Sequence, residues 1–180
     1  MNIETKRLVL RALEPEDAET MARIINDPEV RESLGAYNLV FPTSNELEKR
    51  WIADSGKRGD ESNLAVTRRS DGRMLGLLAL RDISDRNGSA HLAIMLERKA
   101  WDKGYGSEAI AGVVGHLFDA FNMHRVWLRV DQGNARAIRC YEKCGFRKEG
   151  ELREDHFAHG GWRSSYLMSV LASDLRRGPR

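Results

Sequence analysis

The residues best suited to chemistry are Trp101-Asp102-Lys103-Gly104-Tyr105-Gly106-Ser107-Glu108-Ala109-Ile110, where two glycines stand one residue apart. An apolar run with strand alternation precedes them, and a run with helical spacing follows. A helix N-terminus carries unpaired N–H groups and a partial positive charge. Glycine at that point lets a ligand approach the backbone. Lys103 adds a cation, and Ser107 adds a hydroxyl that caps the helix or donates to an oxygen. Together these make a cradle for a diphosphate. A plain strand-to-helix turn would use the same glycines. The spacing is not that of a Walker A loop, because the Lys-Ser/Thr pair after the glycine is missing. It is not the dinucleotide fingerprint either, which needs a third glycine within a β-α-β unit.

Other candidates lie on both sides of this loop. His91, in "SAHLAIML", shares a strand face with Ala93 and Met95, opposite Ala90, Leu92, Ile94 and Leu96. An imidazole titrates near about 6.5, so it accepts a proton directly or through water; a hydrogen-bonded, half-buried histidine is the other reading. Glu97 is a weaker alternative base. Tyr141 falls in "NARAIRCYEKCGF" on the face Ala137, Ile138, Tyr141, Cys144, where a core tyrosine would be ordinary. Asn134 heads that helix as its N-cap. Arg139 and Lys143 read as a solvated face, with contact to a ligand's phosphates as the alternative. Cys140 and Cys144, one turn apart with no His/Asp constellation, read as packing residues. His156 and His159, near the final turn, read as solvated loop histidines, with a place in the mouth of an acceptor site as the alternative, and no metal-ligand spacing accompanies them, so no metal is expected.

The elements that must hold these residues follow from periodicity. "RLVLRAL" alternates as a half-buried strand, and "EPEDAETMARIINDP" follows as a helix with Pro15 at its first turn and Pro28 at its end. Residues 29–43 read as a loop with room for a short helix, and Ser44 to about Gly56 reads as a helix. "SNLAVTRR" turns through Asp71-Gly72 into "RMLGLLALRDI", and "SAHLAIMLE" follows. A helix runs from Ser107 to Phe121, then strand "HRVWLRVD", the helix 134–146, and two strands about Gly160-Gly161. The order β α α β β β α β α β β predicts an α/β fold with a mixed, largely antiparallel sheet.

Bulk properties exclude other classes. The 180 residues suit one domain, read as 1–175 with a short basic tail at 176–180. The 29 basic and 27 acidic residues nearly cancel at +2, so nothing points to nucleic acid. No stretch is apolar enough to span a membrane, and the first residues lack a signal-peptide core. Two cysteines are too few for a disulfide framework, which predicts the cytoplasm.

"WDKGYGSEA" resembles the W-G-K-G-Y-A-T-E-A loop of the GNAT family of N-acetyltransferases. "NARAIRCYEKCGF" resembles that family's N-x-x-A-x-x-x-Y-E-K-x-G-F segment. "EGELREDHFAHGGWR" and "ETKRLVLRALEPEDAE" resemble the branch that contains ribosomal-protein N-terminal acetyltransferases and spermidine N-acetyltransferases. The resemblance implies a single-domain GNAT fold, a twisted mixed sheet flanked by helices whose strands 89–97 and 124–131 splay apart. It implies acetyl-CoA as donor, its diphosphate on the backbone of Asp102, Lys103, Gly104, Tyr105, Gly106 and Ser107, and its pantetheine arm beside Met95 and Leu96. Asn134 often reaches that arm in the family. Asp102 stands where the family usually has glycine, and its carboxylate would repel the diphosphate unless it turns to solvent or pairs with Lys103 or Arg98.

The same resemblance assigns Tyr141 as the acid facing the CoA sulfur and leaves His91 as the candidate base, at a position where this branch often has glutamate. The acceptor pocket is expected from residues 29–43 and 154–165. Glu151, Glu154 and Asp155 offer a carboxylate cluster, interrupted by Arg153 and Arg163. On these grounds an N-terminal amine of a protein or peptide is the expected acceptor, a polyamine or other small amine the alternative, and an inactive acyl-CoA-binding sensor a third reading. A homodimer is a family expectation.

Overall fold

Apolar residues at every second position make β2 (Leu8–Ala12), in which Leu8 and Leu10 are fully buried, and the two-residue β1 (Ile3–Glu4) folds back on it. The computed structural model describes residues 2–34, 42–55, 57, 59–158 and 160–176. A 3-10 turn at Pro15–Asp17 leads into α1 (Ala18–Ile25). Pro28 does not merely end that helix; it opens α2 (Pro28–Ser33). A proline loses nothing at a first helical position, and the Asp27 side chain accepts from the Glu29 and Val30 N–H groups. Ser44 caps α3 (Asn45–Asp54) in the same way.

Strands β3 (Ser62–Arg68), β4 (Met74–Ser84) and β5 (Ser89–Leu96) form a meander. Then come α4 (Tyr105–Ala120), β6 (Arg125–Asp131), α5 (Ala135–Lys143), β7 (Arg147–Ala158), β8 (Gly161–Leu171) and the short α6 (Ala172–Arg176). α6 falls where the sequence reading had only a strand end and a tail; residues 177–180 lie outside the described residues. The sheet runs β1-β2-β3-β4-β5-β6-β8-β7. Among the described residues only β5 and β6 pair in parallel.

That one parallel pair makes the site. β5 and β6 are bonded only at Ser89–Arg125, Ala90–Val126 and His91–Trp127. Beyond His91 the strands part, while β4 still holds β5 as far as Leu96 and β8 holds β6 as far as Asp131. The expected splay is therefore present. A core cluster lies on each face of the sheet. On one, α4 buries Ile110, Val113, Val114 and Leu117 with Leu92, Val126 and Leu128. The spacing i, i+3, i+4, i+7 makes that stripe, and each fully buried aliphatic side chain contributes about 1.5–3 kcal/mol. On the other, Met21, Ile24 and Val30 of α1 and α2 meet Leu77 and Met95. Among the described residues no helix is long and apolar enough to cross a membrane.

Candidate active site

α4 begins two residues before the expected Ser107. Gly104 turns the chain into it at φ +78°, a left-handed conformation that suits glycine, and among the described residues no side chain caps the helix. The Glu108 N–H donates to the Gly104 carbonyl at 3.1 Å, which leaves the preceding N–H groups at the mouth. A Cβ at position 106 would lie 3.3 Å from Cys140 Sγ, a tight contact that glycine spares.

The mouth is held from behind. The Glu108 carboxylate accepts from Thr5 Oγ1 at 2.7 Å, from the Arg7 N–H at 2.6 Å and from Arg7 Nε at 2.6 Å. Burial disfavours its charge, but these bonds outweigh burial and hold the group below the usual carboxylate range. Arg7 Nη1 also donates to the Lys103 carbonyl at 3.0 Å. Nothing in the local sequence signals this clamp, because its two halves lie about a hundred residues apart.

A cavity of about 290 Å³ runs from this mouth into the gap between β5 and β6. His91, Met95, Leu96, Asp102, Gly104, Gly106, Ser107, Asn134 and Tyr141 all line it. Three expected residues do not. Arg98 is drawn away by an ion pair with Glu29 at 2.8 Å. Lys103 is exposed, and Tyr105 packs under the Arg7 guanidinium at 4.5 Å. Asp102 pairs with neither Arg98 nor Lys103. It is exposed at φ +57°, and the cation whose charge it favours is Arg136. The positive φ supplies a reason for glycine at this position, and aspartate is one of the few residues that tolerates it.

The remaining side chains correct several expectations. Ser107 does not cap α4: its hydroxyl lies 3.3 Å from Cys140 Sγ. Cys144 is buried as expected, but Cys140 lines the cavity. Their shared hydrogen bond lowers the Cys140 thiol and raises that of Cys144. Arg139 and Lys143 also line the cavity, together with Arg136, which sits 3.3 Å over the Trp101 ring. Trp101 in turn donates Nε1–H to the Leu96 carbonyl at 2.9 Å. Asn134 caps α5 by accepting from the Ala137 N–H at 3.0 Å, and its amide donates to the Ser33 carbonyl at 3.1 Å.

Tyr141 is 6% exposed, and burial raises its hydroxyl, with the charges of Cys140 and Cys144 adding to the effect. Its hydroxyl has no hydrogen-bond partner among the described residues. His91 stacks on Trp127 at 4.4 Å; burial lowers its imidazole, Arg81 and Arg129 help, and Asp82 opposes. Glu97 is no base candidate in this fold. It is buried and bonded to Arg73 at 2.8 Å and Arg23 at 3.3 Å. His156, far from being a solvated loop residue, is buried in β7 between Asp131 and Asp155. His159 and residues 35–41 of the expected acceptor region lie outside the described residues. No group of three metal-ligating side chains forms among the described residues.

A strand pair that parts over an uncapped helix mouth is the arrangement the resemblance to an acyl-CoA-dependent transferase implies, and family comparison agrees. The family pattern described as an acetyltransferase (GNAT) domain matches residues 7–147, and the chain belongs to that family. It is 29% identical over 171 residues to an uncharacterized N-acetyltransferase, p20, of Bacillus licheniformis, covering 93% of this chain and 94% of the relative. It is 27% identical over 170 residues to a spermidine N(1)-acetyltransferase of Vibrio cholerae, covering 93% and 94%. The crystal structure of a Vibrio cholerae spermidine N-acetyltransferase with CoA and spermine superposes with a TM-score of 0.84 at 25% identity, covering 94% of this chain and 98% of that one. The chain is an acetyl-CoA-dependent N-acetyltransferase of GNAT type.

Proposed function

We propose that the acetyl acceptor is an aliphatic polyamine of the spermidine kind, and that Tyr141 and His91 serve the transfer. The observation that carries the donor side is the α4 mouth: unpaired N–H groups, no capping side chain, and an opening into the cavity. The diphosphate of acetyl-CoA would sit there, with Arg136, Arg139 and Lys143 on the same wall. The acceptor side rests on the relatives named for spermidine. An N-terminal α-amine, expected from the sequence, is the second reading. It is favoured by the engagement of Asp155 with Arg129 and His156, which leaves fewer free carboxylates than a polycation would use.

Attack on the thioester needs a neutral amine, a donor for the charge that develops, and a route for one proton. Tyr141 stays protonated because burial raises it. Full proton transfer from it to a thiolate, near about 8.5, is uphill, so it acts by a hydrogen bond to the departing sulfur. His91 is held neutral because burial lowers it. It takes the amine's proton once the new N–C bond has made that proton acidic.

The test is an acetylation assay on spermidine, an alanine- or serine-headed peptide and an aminoglycoside, with mass spectrometry of the products. Acetylated spermidine supports the reading, and acetylated peptide alone overturns it in favour of the second. Tyr141→Phe should lower kcat by about a hundredfold and leave the affinity for CoA unchanged. A fully active variant would remove Tyr141 from the chemistry.

A further inference from the structure

The end of the cavity formed by β6 and β8 holds a hydrogen-bonded chain that the transfer chemistry does not use. His156 is 7% exposed. Its Nε2 lies 2.9 Å from Asp131 Oδ2 and its Nδ1 lies 3.0 Å from Asp155 Oδ1. Ser165 Oγ lies 3.4 Å from the same Nδ1, and Arg129 is paired with Asp155. Asp131 Oδ1 accepts from the Gly133 N–H at 2.6 Å. A Cβ at position 133 would fall 2.9 Å from that oxygen, so glycine is what allows the contact.

Asp131, Arg129 and Ser165 line the cavity. A carboxylate offers about four lone-pair sites on its two oxygens. Gly133 and His156 use one on each oxygen, and the others stay available. Because both oxygens are already held, little rotamer entropy is left to lose when a ligand binds. Of the cations here, Arg129 is turned onto Asp155, and Arg163 Nη1, which would lie 3.7 Å from a Cβ at position 133, makes no ion pair with Asp131. Among the described cavity-lining residues the carboxylates are Asp102 and Asp131, and Asp102 belongs to the glycine loop. Asp131 lies four residues along β6 from Trp127, which stacks on His91, so about 13 Å of strand separates it from the candidate base.

We infer that Asp131 receives a second, non-reacting ammonium of the acceptor, and that His156 is the positioning residue that aims its carboxylate. This rests on the polyamine reading and gives it a selective element: one cation is anchored at Asp131 while another nitrogen reaches the thioester. Monoamines lack the anchored group and lose that contribution.

Steady-state kinetics on spermidine, 1,8-diaminooctane (a diamine as long as spermidine) and butylamine test this, with the wild type beside Asp131→Asn and His156→Asn. A charged hydrogen bond is worth about tenfold or more in affinity. Wild-type kcat/KM should therefore favour the diamine over butylamine by at least about that factor. Asp131→Asn should raise the KM for spermidine about tenfold with kcat little changed, and leave that for butylamine unaltered. His156→Asn should give a smaller rise with the same selectivity. CoA affinity within about twofold of wild type shows the variants folded. A variant that treats all three amines as the wild type does would overturn the inference while leaving the polyamine reading intact. Equal KM rises for diamine and butylamine would also overturn it, since a merely structural role acts on both. A wild type that leaves spermidine unacetylated overturns the polyamine reading itself.

Discussion

Two helix mouths open on the same cavity and are finished in opposite ways. The N-terminus of α5 is closed by Asn134, whose Oδ1 accepts from the Ala137 N–H and whose amide reaches across to the Ser33 carbonyl. The N-terminus of α4 has no side-chain cap, although Ser107 stands close by. Ser107 instead turns its hydroxyl to Cys140. The α5 mouth is completed by the protein and adds to its stability. The α4 mouth leaves its donors unpaired, which costs stability, and Thr5, Arg7 and Glu108 hold it in place. The donors are available because something other than the chain is meant to accept from them.

The sharpest way to break this contrast is to put a charge in the open mouth. Gly106→Asp places a carboxylate beside the expected diphosphate. Two unit charges about 4 Å apart at an effective dielectric of 20 repel by about 4 kcal/mol, about a thousandfold in affinity. Calorimetric titration with CoA should show binding lost while the folded circular-dichroism signal remains. Unchanged affinity would mean that the diphosphate is held elsewhere.

How much of this was readable in advance divides along the same line. The donor half was legible because its parts are local. Gly104, Gly106 and Asn134 each act at the first turn of their own helix, whereas spacing placed Tyr141 only on a core face and the family resemblance gave it a role in the site. The acceptor half was not. His156, Asp131 and Ser165 meet only through the pairing of β6 with β8 and β8 with β7. In β7 the register slips between Leu152 and His156, around Glu154 at φ +49°. A bulge of that kind changes which face a residue takes, and period-two alternation cannot reveal it. Arg98 and Glu97 were misplaced for a related reason: their ion partners, Glu29 for one and Arg73 and Arg23 for the other, are distant in sequence.

A milder change tests the loop that enters the open mouth. Asp102 occupies φ +57° with a charge near the expected anion, partly offset by Arg136. Asp102→Gly removes the charge, fits the backbone and frees Arg136. Because Asp102 is exposed and its field is screened, CoA affinity should rise by only about threefold, read by the same titration. A fall in affinity would show that the carboxylate orders Arg136 for the ligand rather than opposing it.

The smallest effect on binding should come from the closed mouth, and there the loss appears as stability. Asn134→Ala removes the α5 cap and the bond to Ser33. A lost N-cap costs about 1 kcal/mol, and a chain of this size then melts about 2–4 °C lower. CoA affinity should change by less than about threefold, because both ends of the Asn134 amide are already taken up by the protein. The two readouts thus move oppositely at the two mouths: Gly106→Asp loses the ligand and keeps its fold, while Asn134→Ala keeps the ligand and melts earlier. If Asn134→Ala instead bound CoA far more weakly with an unshifted Tm, the α5 mouth would be a second ligand-holding terminus and the distinction between the two helices would fail.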